Sequence, residues 1–258
     1  MTVTHLPLSA TFTDALALTR RNILRTIRTP QLLVFSTIQP VMFVLLFRYV
    51  FGGAIHTPGM SYVDYLIPGI MIQTVSFGGG QTAVGLAADL RSGMMDRFRS
   101  LPMARSAVLA GRTLADMTRN FFVVLLMVGV GMLVGFRFHN GLGNAIAAVL
   151  LAVLFGFAIS WTFALIGMLV GDPETAQVAG FLPIFPLVFA SSTFAPTATM
   201  PSWLRAFAEH QPITATVDAI RALTQGGDVQ GPLTTSLLWI AGILVVFCPL
   251  AVARYRRG

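Results

Sequence analysis

The chain has 258 residues, of which 55% are hydrophobic and only 10% charged, against roughly 25% charged in a soluble domain. That balance excludes a water-soluble globule and leaves room for about five to seven membrane helices at roughly 20 apolar residues each. Seventeen basic against ten acidic residues give a net charge of +7, and every basic residue is arginine.

The N-terminal stretch predicts an amphipathic helix over residues 11–29. Phe12, Ala15, Leu16, Thr19, Ile23 and Ile27 share one face, while Arg21, Arg25 and Arg28 share the other, and Thr11 with Asp14 forms a capping-box pattern. Such a helix lies along the inner membrane surface, as a topology anchor or as a docking helix. No apolar core with a cleavage site occurs in the first 30 residues, so no removable signal peptide is expected.

Six runs free of Asp, Glu, Arg and Lys reach spanning length: 29–47, 65–88, 120–136, 138–170, 175–204 and 229–253. An even number of spans puts both termini on one side. Thirteen of the 17 arginines fall in the N-terminal segment, in the connection from Arg91 to Arg119, and in the tail from Arg254. By the positive-inside rule that side is cytoplasmic. The same placement beside apolar runs accounts for the basic surplus without nucleic acid.

The connection between the second and third runs is the most charged part of the chain. Met94, Met95, Phe98 and Leu101 align on one face of a short helix over residues 92–102, capped by Ser92 and stopped by Pro102, with Asp96, Arg97 and Arg99 facing away. So short a helix is unstable alone. Its apolar face docks either in a partner groove suited to Met-rich surfaces or against the protein's own helices and lipid headgroups.

Further along, Gly-Met-Leu-Val-Gly occurs at 131–135 and again at 167–171, a spacing that permits close helix crossing. Asp172 and Glu174 occupy a tight turn, where capping of the next helix is expected. The fifth run exceeds one crossing and carries Pro183, Pro186, Pro196 and Pro201, which predicts a break near Ser191, Ser192 and Thr193. Two amphipathic helices follow within residues 197–231. One runs from Ser202 to His210 with Trp203 at an interfacial position. The other runs from Ile213 to Thr224, with Asp218 paired to Arg221 at i, i+3. This region lies at the outer leaflet, dips into it, or forms an ordinary outer loop.

Chemistry-bearing groups are sparse. Without lysine there is no ATPase phosphate loop, and the single cysteine, Cys248, excludes an intrachain disulfide or a Cys-rich metal site. His5, His56, His139 and His210 lie away from span centres, and Asp89, Asp116 and Asp172 mark span ends. Neither a membrane-embedded enzyme nor an ion-coupled carrier or autonomous channel finds the groups it would need. No bound metal or cofactor is expected on this chain.

Three segments carry a resemblance. They are Ser92-Gly-Met-Met-Asp-Arg-Phe-Arg-Ser-Leu-Pro-Met-Ala-Arg-Ser106 with Gly111-Arg112; Asp172-Pro-Glu-Thr-Ala-Gln177; and Phe194-Ala-Pro through Met200-Pro-Ser-Trp-Leu204 to Gln211-Pro-Ile-Thr214 and Asp218-Ala-Ile-Arg221. In their order the chain resembles the membrane subunit of a type-2 ABC exporter, most closely the daunorubicin-resistance class of bacterial drug and lipid export permeases. Family members usually carry Asn where this chain has Gln211.

The resemblance implies an all-α polytopic membrane protein of one domain with six transmembrane helices in the bacterial plasma membrane. It further implies a surface connecting helix at 11–29, a coupling helix at 92–102, and outer re-entrant helices before the last span. Two copies of a separate ATPase subunit would bind ATP and Mg, receiving Met94, Met95, Asp96, Arg97, Phe98, Arg99, Leu101 and Pro102, with Phe98 and Leu101 as anchors. A second permease subunit, identical or not, would complete the membrane part among lipids, and an amphipathic drug or lipid would be exported. Phe35, Gln39, Phe43, Met71, Gln73 and Phe77, on the first two spans, would line its path.

Overall fold

The structure is a computed structural model that describes residues 19, 30–55, 57, 59–94 and 105–257. The expected surface helix at 11–29 lies outside the described residues except for Thr19, whose hydroxyl donates to the Gly111 carbonyl at 3.2 Å. Residues 95–102 of the expected coupling helix also lie outside them.

Among the described residues there are eight α-helices and no strand. They are α1 (Pro30–Leu46, continued by a π-helical turn Phe47–Phe51), α2 (Tyr62–Arg91), α3 (Arg105–Leu133), α4 (Gly141–Val170), α5 (Pro173–Phe189), α6 (Ser202–Glu209), α7 (Pro212–Gln225) and α8 (Gln230–Arg257). Three stretches are long and apolar enough to cross a membrane: Leu109–Leu133, Gly141–Val170 and Gln230–Tyr255. Their outward faces carry large apolar side chains, such as Phe122, Leu133, Leu150, Leu238 and Val245, all at least half exposed. In water that surface would aggregate, whereas lipid covers it without cost. The chain is a multi-pass membrane protein.

The core is built around α2, which packs on α3, α4, α5 and α7, while α4 also packs on α8. Most of α2 is buried from Tyr62 to Ser76. Glycine, Gln, Thr and Ser dilute its hydropathy because protein rather than lipid surrounds it. Close approach is bought by missing side chains: a Cβ at Gly167 would strike the Ala83 backbone, and the Phe163 ring lies between Gly79 and Gly180. The two glycines of each Gly-Met-Leu-Val-Gly repeat have separate tasks. Gly131 and Gly167 lie at contacts with α2, whereas Gly135 and Gly171 take positive φ, at 109° and 72°, where the chain leaves a helix.

Helix ends follow local chemistry. Asp172 caps α5, accepting from the Thr175 N–H at 3.0 Å, and α5 stops at Phe189, just before Ser191–Ser192–Thr193. Gln211 donates from its amide to the Leu187 and Ala190 carbonyls at 2.9 and 2.6 Å, satisfying acceptors that the helix end leaves open. Ser92 stands where α2 ends, and a helical residue, Met94, follows it. Ser92 closes α2, its N–H bonded to the Ala88 carbonyl, and Gly93 then turns the chain at φ 68°.

The region after α5 is more deeply enclosed than an outer loop. Eleven residues of α7, from Ile213 to Thr224, are buried. Arg221 is 7% exposed. Its guanidinium pairs with Asp218 at 2.8 Å and donates to the Tyr65 and Ser192 carbonyls. α6, in contrast, keeps Trp203 74% exposed.

Candidate functional site

Halfway along α1, α2 and α3 the three helices part around a cleft of about 100 Å³, open to the exterior. α1 contributes Gln39 and Pro40; α2 contributes Gln73, Thr74, Phe77, Gly78 and Gln81; α3 contributes Arg119, Asn120 and Val123. The α2 residues recur at 73/74, 77/78 and 81, the spacing that keeps one helical face toward the opening. Pro40 removes a backbone donor from α1 at the same level.

The polar groups of the wall form a compensated set. Arg119 donates to the Gly78 carbonyl at 2.8 Å and stands 3.6 Å from Asp116. The other oxygen of Asp116 accepts from the Thr82 hydroxyl. Gly78 leaves room for this arrangement, because a Cβ there would meet Arg119 Nη2 and Asn120 Oδ1, each at 3.2 Å. Two turns further along, Arg112 lies over Gly85 and pairs with Asp89 at 3.2 Å. Gln73 is 2% exposed, and its Oε1 has no hydrogen-bond partner among the described residues.

These ion pairs lie on a helix, ahead of the charge-free run that begins at Asn120. Arg112, Asp116 and Arg119 belong to α3, which begins at Arg105 rather than at the edge of the charge-free run. Paired with one another and with α2, the charges are tolerated inside a helix that a charge-free criterion cuts short.

Of the six residues expected along a transport path, Gln39, Gln73 and Phe77 come together in the cleft. Met71 does not: it is fully buried in the core. Phe43 stands higher, against Phe47 at 5.9 Å, Phe189 at 6.3 Å and Phe194 at 6.0 Å. The side chain of Phe35 lies outside the described residues. Of the expected coupling residues, Met94 is half-buried just beyond Gly93, and Met95, Asp96, Arg97, Phe98, Arg99, Leu101 and Pro102 lie outside the described residues. Arg91, at the end of α2, is bridged to Asp172 at 3.1 Å, which ties this connection to the α4–α5 turn.

Sequence reading missed Arg119 and Asn120. Their signal was the Asp116–Arg119 spacing of three, which on a helix places the two side chains together.

A file of phenylalanines leaves the cleft. Phe77 meets Phe181 at 5.6 Å, followed by Phe185 at 5.2 Å, Phe189 at 4.4 Å, Phe194 at 5.1 Å and Phe47 at 4.4 Å. Phe181, Phe185 and Phe189 are between 37% and 50% exposed. The arrangement offers a hydrogen-bonding pocket continuous with an aromatic surface.

The sequence profile of the ABC-2 type transporter family matches residues 13–224. The chain is 34% identical over 227 residues to the daunorubicin resistance ABC transporter permease protein DrrB1 of Streptomyces coeruleorubidus, covering 88% of this chain and 80% of that protein. It is 29% identical over 246 residues to the probable doxorubicin resistance ABC transporter permease protein DrrC of Mycobacterium tuberculosis, covering 93% and 87%. It is 25% identical over 214 residues to the putative transport permease ycf38 of Cyanophora paradoxa, covering 81% and 73%.

Proposed function

The chain belongs to the ABC-2 type transporter family, and from that premise we propose that it is the membrane subunit of an ATP-driven exporter of an amphipathic drug or lipid. The observation that carries this reading is the match over residues 13–224 together with relatives that are permeases of drug-resistance transporters. Energy comes from a separate ATPase subunit, present in two copies, which binds ATP and Mg. A second permease subunit, identical or related, completes the membrane part. The chain crosses the bacterial plasma membrane six times with both termini in the cytoplasm, and the helices after α5 form an outer re-entrant cap.

Coupling runs through residues 92–102. Phe98 and Leu101, with Met94 and Met95, seat in a groove of the ATPase; Asp96, Arg97 and Arg99 supply the rim, and Pro102 ends the helix. The Arg91–Asp172 bridge supports a mechanical link from this segment to the next cytoplasmic turn. Among the path residues, Gln39, Gln73 and Phe77 face the substrate first. A carrier driven by ions would need a carboxylate free to exchange its partner, whereas Asp116 is held by both Arg119 and Thr82.

The test is co-expression with genomic neighbours, purification, and an ATPase assay on the wild type and Phe98→Asp. A co-purifying ATPase whose stimulation disappears in Phe98→Asp is the expected result. A chain that purifies without an ATPase, or a variant with unchanged stimulation, defeats the reading.

A further inference from the structure

Three successive glycines, Gly78, Gly79 and Gly80, stand in the middle of α2, and packing accounts for only two of them. A Cβ at Gly78 would meet Arg119 and Asn120, and one at Gly79 would strike the Phe163 ring. A Cβ at Gly80 would meet nothing within 4 Å. Glycine inside a helix is less stable than alanine, because its unfolded backbone has more conformations to lose. Where no neighbour demands its small size, what it supplies is backbone freedom. The turn above is softened as well: the Thr74 and Ser76 hydroxyls bond back to the Ile70 and Ile72 carbonyls at 2.7 and 2.6 Å, an arrangement that bends helices.

α2 is held differently on the two sides of this turn. Above it, Tyr62 and Tyr65 donate to the Phe194 and Ser192 carbonyls, and Arg221 donates to the Tyr65 carbonyl. Below it, the contacts are able to follow a movement. Ala83 meets a glycine, Gly167, rather than a side chain, and the pairs Asp89–Arg112 and Arg91–Asp172 are each made through a long arginine. Across the glycines lies a splint from α3. Arg119 donates to the Gly78 carbonyl at 2.8 Å, and its partner Asp116 accepts from the Thr82 hydroxyl at 2.5 Å. Gly78 and Thr82 are one helical turn apart, so the Asp116–Arg119 pair brackets the turn that contains Gly79 and Gly80.

We propose that Gly78–Gly80 is a hinge in α2 and that the Asp116–Arg119 pair is the latch that holds it straight. This rests on the exporter reading and supplies a step between the ATPase and the path. The lower half of α2, which leads through Gly93 toward the coupling segment, swings while the upper half stays fastened. Phe77, Gly78 and Gln81 line the cleft, so a bend at this level alters the width of the cleft directly. A bend of about 20° over the roughly 16 Å from Gly80 to Arg91 carries the inner end of α2 by about 5 Å.

The test uses the full chain with its co-purified ATPase in lipid nanodiscs, in a Cys248→Ser background. Spin labels at the exposed positions Ser92→Cys and Arg254→Cys report the inner end of α2 against that of α8, and labels at Ser61→Cys and Leu142→Cys report the outer end. Distances are measured by double electron–electron resonance without nucleotide and with ATP and vanadate. The expected result is an inner distance that shifts by about 5 Å and an outer distance that stays constant. Gly80→Ala is expected to raise the thermal unfolding midpoint, abolish the inner shift and slow ATP hydrolysis several-fold. Gly129→Ala on α3, where an added Cβ likewise meets nothing within 4 Å, is expected to keep the shift and the hydrolysis rate of the wild type. Thr82→Val removes one arm of the latch and is expected to bring part of the inner shift into the nucleotide-free state; an unchanged nucleotide-free distance overturns the latch. An inner distance that stays fixed while ATP is hydrolysed, or a Gly80→Ala chain that moves and hydrolyses like the wild type, overturns the hinge alone. Should Gly80→Ala fail to fold, the wild-type distances decide it. Absence of any ATPase from the purified chain fells the exporter reading, and this inference with it.

Discussion

The Arg221 guanidinium carbon stands 3.5 Å from the centre of the Tyr65 ring, with Nε donating to the Tyr65 carbonyl at 3.0 Å. A residue near the end of the chain's last short helix is thereby fastened to the first turn of α2. The same guanidinium reaches the Ser192 carbonyl in the break after α5, so one side chain joins three segments. Arg221→Lys keeps the charge but loses the planar fork and the stacking. It is expected to lower stability by about 2 kcal/mol, read as a drop in the thermal unfolding midpoint of detergent-solubilised protein. A midpoint within the error of the wild type would refute the fastening role.

The crossing of α4 and α5 depends on an absent methyl group. A Cβ at Gly180 would come within 2.6 Å of Phe163 Cε1, and Gly79 faces the other side of the same ring. Gly180→Ala must displace the ring or the helix, an overpacking cost of about 1–3 kcal/mol. The double change Gly180→Ala with Phe163→Leu is expected to recover part of that loss. Thermal unfolding of the single and double variants checks both statements, and strict additivity would count against a shared contact.

Asp116 keeps the cleft neutral. Asp116→Asn leaves the largely buried Arg119 without its counter-charge, a loss expected to cost up to about 3 kcal/mol and read as a lower thermal unfolding midpoint of the detergent-solubilised protein. A midpoint equal to the wild type would show that Arg119 is not neutralised by Asp116.

At the α5 cap, hydrogen bonds from the Thr175 N–H and hydroxyl, followed by the nearby Arg91 charge, hold the Asp172 carboxyl below the ordinary aspartate range. A carboxylate lowered on folding stabilises the fold above its unfolded value, and the contribution disappears as pH falls through the lowered value. Neutral pH therefore retains it and strong acid removes it. Asp172→Ala is expected to flatten that part of the acid limb of the unfolding profile while leaving the neutral-to-basic limb parallel to the wild type. The same acid limb in both proteins would dismiss the cap.

The helices themselves were legible because lipid-facing and buried residues alike are apolar, so charge-free runs mark them without any need for periodicity. The break at Ser191–Thr193, the cap at Asp172 and the Asp218–Arg221 pair followed from short-range chemistry and appear where expected. What escaped depends on partners distant in sequence. The charge-free run cut α3 at Asn120, because only the fold reveals that Asp116 and Arg119 neutralise each other and that Arg112 finds Asp89. The Asp218–Arg221 spacing shows one partner of Arg221, but nothing local announces Tyr65. Ser92, read as the cap of the following helix, also closes α2, because its N–H reaches the Ala88 carbonyl one turn back. Of the cleft, α2's contribution could be read from sequence, but α3's polar share could not.

The fastening of α2 to segments made much later has a consequence for biosynthesis. Tyr62 bonds to Phe194, 132 positions away, and Arg221 to Tyr65, 156 positions away. At roughly 5–20 residues per second of translation, α2 waits about 7 to 30 s after its own synthesis before those partners exist. During that interval its glycines, glutamines and tyrosines face lipid, insertase or chaperone instead of α5 and α7. A helix that ends as the centre of the bundle thus begins as its least self-sufficient member, and shielding α2 until the C-terminal third emerges is the step at which assembly of this chain is most exposed to failure.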